Sequence, residues 1–123
     1  MAAEQFGDML RRLRKAADKT LGEVARALGV SIVYVSDVER GQRNPLSNDK
    51  IMKVASILNT DPAPLVSAAD QERGFIEYDL ASATPLEAGV VSGLVAGLAR
   101  GGITEDQLEN IQAILDKKGA TKL

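Results

Sequence analysis

Residues Thr20 to Pro45 read TLGEVARALGVSIVYVSDVERGQRNP. Thr20 with Glu23 three positions on has the spacing of a capping box, in which each residue satisfies an orphan amide at the start of a helix. Val24, Ala25 and Leu28 then fall on one helical face, and Gly29 supplies the residue without a Cβ that commonly closes a helix. Two residues separate Leu28 from a second cap, Ser31, and Val30 with Val35 has the placement of a hydrophobic staple. The spacing predicts a following helix over Ile32–Arg40, ended by Gly41, with Val35 and Val38 facing a core. Gln42-Arg43-Asn44-Pro45 reads as a loop, because proline disfavours helix at the residue before it. Two short helices joined by a tight turn are the centre of the molecule, and the rest is read outward from them.

Upstream, Phe6, Leu10, Leu13 and Ala17 recur at helical spacing, with Arg11, Arg12 and Lys15 off the stripe. Downstream, Ser47 or Asn48 caps a fourth helix with Ile51, Val54, Ala55 and Leu58 as its apolar face. Asp61-Pro62 begins a fifth, since proline suits a first turn, and Leu65, Val66 and Ala69 would close the core. Residues 71–83 change character. Ile76, Tyr78 and Leu80 alternate with Glu77 and Asp79, the period of a half-buried strand. A lone strand needs a partner, such as its own copy in a second subunit; an extended linker is the other reading, and both stand. Thr84-Pro85-Leu86-Glu87 and Thr104-Glu105-Asp106-Gln107 repeat the capping box, and Ile103 with Leu108 makes a second staple. Lys117 and Lys118 end the last helix, where its dipole favours cations.

The organisation expected is therefore an all-α chain: a five-helix domain over residues 1–70, a linker or dimer-pairing strand over 71–83, a helical dimerisation segment over 84–118 and a frayed tail over 119–123. Composition excludes much else. The 123 residues contain no Cys and no His, so there is no disulfide framework, no thiol nucleophile and no imidazole base, and the usual zinc sites are out. No metal and no cofactor are expected, and no enzyme. Ala88-Gly89 mimics the cleavable dipeptide of self-cleaving phage repressors, but the roughly 35 residues beyond it cannot house a Ser-Lys protease domain. The tail also offers little length for a small-molecule pocket. The longest uncharged run near the C-terminus, Ala88 to Ala99, is twelve residues, where a membrane span takes about 20. No targeting segment is read at the N-terminus, so the expected setting is cytoplasmic, on the nucleoid. Fifteen Lys and Arg stand against seventeen Asp and Glu. The positive charge gathers in front: residues 1–70 hold ten basic and nine acidic side chains, residues 71–123 five and eight.

The Thr20–Arg40 unit has the helix-turn-helix arrangement, whose geometry suits duplex DNA: one helix braces across the phosphates while the next lies in the major groove. Residues about 6–69 resemble the lambda-repressor-like, Xre-type helix-turn-helix family of bacterial and phage regulators. The resemblance is carried by Leu13-Arg14, by Val24-Ala25-Arg26-Ala27-Leu28-Gly29-Val30-Ser31, by Val35-Ser36-Asp37-Val38-Glu39-Arg40-Gly41 and by Arg43-Asn44-Pro45. It covers just over half the chain. With Val35 and Val38 inward, Ile32, Val33, Ser36 and Asp37 point away from the core near the start of the third helix, and these also match the family's base-reading positions. Ile32 and Val33 suit thymine methyl groups, and Asp37 can accept from cytosine N4; packing against a neighbouring helix is the other reading for the two apolar residues. Arg40, Gln42, Arg43, Asn44 and Lys50 are candidate phosphate contacts. Thr20 and the amides opening its helix form another anion site. The family often has a polar residue just after that cap, where this chain has Leu21. The resemblance further implies a structural ion pair between Arg14 and Glu39. Tyr34 can pack or reach a phosphate.

Gly89, Gly93, Gly97 and Gly101 fall every four residues, with Leu86, Val90, Leu94 and Leu98 beside them at the same spacing. Interior glycine costs a helix about 1 kcal/mol each, so a compensating close approach of helices is expected. Leu86, Gly89, Val90, Gly93, Leu94, Gly97 and Leu98, with Leu108, Ile111 and Leu115, are the candidate dimerisation surface; the ridge can also lie within one subunit. The function expected is a sequence-specific double-stranded DNA-binding transcriptional regulator, a homodimeric repressor reading a palindromic operator. The alternative is a DNA-binding antitoxin whose C-terminal segment holds a small toxin protein.

Overall fold

Side-chain caps set where most of the helices begin. In the computed structural model, which describes residues 3–117, the hydroxyls of Thr20, Ser31 and Ser47 accept from the amides of Glu23, Tyr34 and Lys50. They open α2 (Leu21–Leu28), α3 (Ile32–Glu39) and α4 (Asn48–Ile57). At Thr20 the capping box is complete. Its amide donates to Glu23 at 2.9 Å, which holds the Glu23 carboxyl below its ordinary range. That cap is therefore fully made above the ordinary glutamate range and weakens as pH falls through the depressed value. Before these helices lies α1 (Phe6–Ala16), and after them α5 (Ala63–Arg73). Helix exits use left-handed backbone, at Gly29 with φ 70° and at the non-glycine residues Asp18 and Asn59.

The chain divides between Glu77 and Tyr78 into two units. In the first, α2 packs on α3 and α4, α1 on α3 and α5, and α4 on α5. Phe6, Leu10, Val24, Val35, Val38, Ile51, Val54 and Leu65 are buried at the centre, as the helical periodicity implies. Leu46, in the stretch after Pro45, is fully buried too. Its carbonyl accepts from the Arg73 guanidinium, which also reaches Asn48 Oδ1 at 3.4 Å and Asp70 Oδ1 at 3.3 Å. Helix α5 runs past the end of its apolar face and stops at the left-handed Gly74, and these bonds tie its last turn to the 46–48 segment. The amide of Phe6 donates to the Glu72 carboxylate, tying the start of α1 to the same helix.

One contact is unusually close. A Cβ on Gly7 would stand 2.5 Å from the carbonyl oxygens of both Val38 and Glu39. Only glycine lets α1 lie this near the C-terminal end of α3.

The second unit holds a 3-10 turn at Leu80–Ser82, then α6 (Pro85–Arg100) and α7 (Glu105–Asp116). Both helices begin with complete capping boxes, at Thr84–Glu87 and Thr104–Gln107. The strand considered for the 71–83 stretch is absent: among the described residues no strand occurs, and residues 75–79 take no regular structure. Phe75, Ile76, Tyr78 and Leu80 are all exposed. Both faces of the alternating segment are exposed, and among the described residues no strand pairs with it. The frayed tail expected over 119–123, and Lys118, lie outside the described residues.

Replacing Gly7 by Ala should destabilise the first unit by about 3 kcal/mol, because the added methyl meets backbone rather than a movable side chain. Gly93→Ala, over which nothing of the same chain lies within 4 Å, should instead stabilise α6 by about 1 kcal/mol at concentrations where the chain is monomeric. Urea unfolding of each variant measures both; an unchanged midpoint for Gly7→Ala would show that α1 and α3 do not approach this closely.

Candidate nucleic-acid interface

The turn between α2 and α3 is closed by backbone bonds from Gly29 N to Arg26 O (3.2 Å) and from Val30 N to Ala25 O (3.0 Å). The second is the long bond of a Schellman closure, which needs the left-handed Gly29. Val30 is half-buried against the core, and Ser31 starts α3 at once. The turn therefore fixes how α3 leaves α2.

Helix α3 has two contrasting faces. Its inner face is Val35 and Val38, both essentially fully buried. Its outer face begins with Ile32 and Val33, which are 54% and 65% exposed. Ile32 Cδ1 lies 3.6 Å from where a Gly22 Cβ would stand, so this side chain leans towards the first turn of α2 while keeping a free apolar surface. Ser36 and Asp37, one turn on, are half-buried. Arg40, Gln42, Arg43 and Asn44 are exposed just beyond the helix, and Lys50 is half-buried in the first turn of α4. Thr20 is exposed, with its hydroxyl committed to the cap of α2.

The charged side chains beside α3 are not independent. Arg40 Nη2 lies 2.6 Å from Asp37 Oδ1, and Arg43 Nε lies 3.7 Å from Asp37 Oδ2. The Arg43 guanidinium also sits over the Tyr34 ring, 4.8 Å from its centroid, in cation–π geometry. Tyr34 thus packs under a loop arginine. On α1, Arg12 pairs with Glu4 at 2.9 Å on an exposed face.

The structure brings Arg14 and Glu39 together. Arg14 Nε donates to Glu39 Oε2 at 2.7 Å and Nη2 to Oε1 at 3.0 Å, a two-pronged bond between buried side chains. Arg14 Nη1 adds a bond to the carbonyl of Lys19 at 2.9 Å. The Glu39 carboxylate raises the guanidinium pKa further above its ordinary value. Hydrogen bonds and opposite charge here outweigh the cost of burial. This pair ties α1 to the last turn of α3, and the loop before α2 to both.

Two residues that join distant segments were not visible in the spacing. Gly7 gave no signal beyond being a glycine near a helix start, and its closeness to α3 needs the neighbouring carbonyls. Arg73 carried no reading, although it holds the 46–48 segment to α5. Among the described residues no group of three or more His, Cys, Asp or Glu could hold a metal ion, and no helix is long and apolar enough to cross a membrane.

Truncating Arg14 or Glu39 to Ala should cost about 3–5 kcal/mol, the range for stranding one charge of a buried pair. The double substitution Arg14→Met with Glu39→Leu should recover most of that loss. Thermal unfolding of the three proteins decides it; a loss equal in all three would mean that packing, not the stranded charge, is what is lost.

A family model described as a helix-turn-helix domain matches residues 5–68, just over half the chain. The transcriptional regulator ClgR of Mycobacterium tuberculosis is 34% identical over 85 residues, which span 69% of this chain and 74% of that protein. An uncharacterized HTH-type transcriptional regulator of Mycobacterium bovis, Mb0023, is 30% identical over 130 aligned positions covering 98% of this chain; the chain spans 50% of that relative. The crystal structure of the restriction-modification controller protein C.AhdI from Aeromonas hydrophila overlays 49% of this chain and 89% of its own, with 42% identity and a TM-score of 0.44. With the matched segment covering α1 to α4, the first part of α5 and the α2-turn-α3 unit, the chain belongs to the Xre-type, lambda-repressor-like helix-turn-helix family of DNA-binding transcriptional regulators.

Proposed function

We propose that this protein is a homodimeric, cytoplasmic repressor that reads a palindromic operator with α3 in the major groove. The observation carrying this reading is the outer face of α3. Ile32 and Val33 are left more than half exposed on a helix whose other side is locked to the core. Exposed apolar side chains at the start of a groove-sized helix suit contacts with thymine methyl groups. Ser36 extends the reading face by one turn. Arg40, Gln42, Arg43, Asn44, Lys50 and the amide end of α2 by Thr20 flank that face and would engage phosphates on either side, fixing register.

Dimerisation falls to the second unit, within residues 84–118. Its two helices are rich in apolar side chains but bury almost nothing: among the described residues only Gly97 is buried, and Leu86, Val90, Leu98, Ile114 and Leu115 are all more than half exposed. Domains below about 40 residues usually need a staple, a metal or a second chain, and a second copy answers that need. The four glycines of the ridge have separate duties. Gly101 is the left-handed C-cap of α6, outside the helical row. Gly97 faces Ile103 of its own unit, whose Cδ1 lies 2.8 Å from where a Cβ would be. Gly89 and Gly93 have open space over them. They, with Leu86 and Val90, border the surface left for another helix. Leu94, Leu108 and Ile111 are half-covered. Although the sequence offered little length for a pocket, a groove of about 570 Å³ runs along this face, lined by Val90, Gly93, Leu94 and Ile111 among others.

Light scattering coupled to size exclusion on the full chain and on residues 1–77 tests the reading. The expected result is a dimer for the full chain and a monomer for the shorter one. Val90→Glu in the full chain should also give a monomer, and should abolish preference for duplexes with two half-sites about 34 Å apart. A monomeric full chain would overturn the dimer and leave the apolar face for a different protein, such as a toxin.

A further inference from the structure

An aspartate on a helix that faces DNA needs a physical reason, because its charge repels the phosphates. Three observations bear on Asp37. Its side chain is only 22% exposed, although it stands on the outer half of α3. Its two carboxylate oxygens face different arginines, Arg40 at 2.6 Å and Arg43 at 3.7 Å. Each arginine is held from a second side as well: Arg40 Nε by the Ser36 carbonyl at 3.4 Å, and Arg43 by the Tyr34 ring. The backbone joins in, since Gln42 N donates to the Asp37 carbonyl at 2.8 Å. To reach a cytosine amine, the carboxylate would have to leave both guanidiniums and strand them at the groove edge.

We propose that Asp37 acts on recognition through Arg40 and Arg43: it is a positioning residue that clasps both guanidiniums at the exit of α3, and it reads no base itself. This rests on the reading that α3 enters the major groove, and it revises the sequence expectation of a direct cytosine contact. The ion pairs are half-exposed and contribute little to stability. Their effect is to restrict two long side chains that would otherwise sample many positions. A restrained arginine grips its phosphate in one place and so holds the register in which α3 meets the bases, whereas a free one binds any phosphate within reach. The cluster carries one net positive charge, so removing the aspartate strengthens non-specific attraction while loosening the specific contacts.

The test uses the full-length protein and two probes: a duplex selected by the wild type from a random-sequence library, and an unselected random duplex of equal length. For Asp37→Asn, the dependence of log affinity on log salt should steepen by about 0.9, one more phosphate neutralised. The ratio of selected to random binding should fall about tenfold. The preferred sequence, reselected with the variant, should keep the same bases. Asp37→Glu, which still reaches both arginines, should restore the ratio, and in an Arg40→Ala/Arg43→Ala background Asp37→Asn should no longer change it. A switch of preference at a single base pair, retained in that background, would overturn the clasp in favour of direct reading. No change in either slope or ratio would overturn it equally. If the wild type selects no sequence, or Val33→Ala leaves selectivity untouched, the groove reading fails first and the clasp falls with it.

Discussion

The buried bond between Arg14 and Glu39 is the constraint on which the placement of α3 depends. It crosses from α1 to the last turn of α3, and the third arm of the guanidinium holds the Lys19 carbonyl just before α2. Three elements therefore share one charged group. Burying two charges is costly unless their hydrogen bonds are met, and here both carboxylate oxygens and three guanidinium nitrogens are engaged. A greasy substitute would fill the space but would not set direction. Gly7 acts beside it. The missing Cβ allows α1 to touch the carbonyls at the end of α3, which brings Arg14 within reach of Glu39.

With its inner side fixed in this way, α3 can carry an outer side that folding alone would disfavour. Ile32 and Val33 expose apolar surface, and Arg40 and Arg43 crowd like charge at one end. The first costs hydrophobic free energy that the core supplies elsewhere. The second is relieved by Asp37 and by the Tyr34 ring. Local choices that are poor for stability gather on one surface, as expected where a site has been set into a rigid scaffold.

The two units solve the problem of a core differently. The first surrounds one apolar cluster with five helices. The second has well-capped helices and almost no interior. Its caps settle where α6 and α7 begin, but capping cannot bury Leu86, Ile114 or Leu115. Local signals and tertiary burial agree in the first unit and part company in the second.

Helix starts, the turn, the core stripe and the division of α3 into a buried and an exposed side were legible because they rest on local chemistry. A Thr or Ser oxygen reaches an amide three residues away, and apolar side chains recur at the helical period. That is what the sequence by itself determined. It could not decide between strand and linker at 75–80, since pairing requires a partner that the alternation does not name. Nor could it separate four evenly spaced glycines into a C-cap, a seat for Ile103 and two open positions, because that depends on where α6 stops and what folds back onto it. Gly7, Arg73 and the Asp37 clasp were invisible for the same reason: each contact of Gly7 and the far contacts of Arg73 join residues about 25 or more positions apart, and the Asp37 contacts depend on the loop's path after α3. Those were decided only by the tertiary structure, where distance in space replaces distance along the chain.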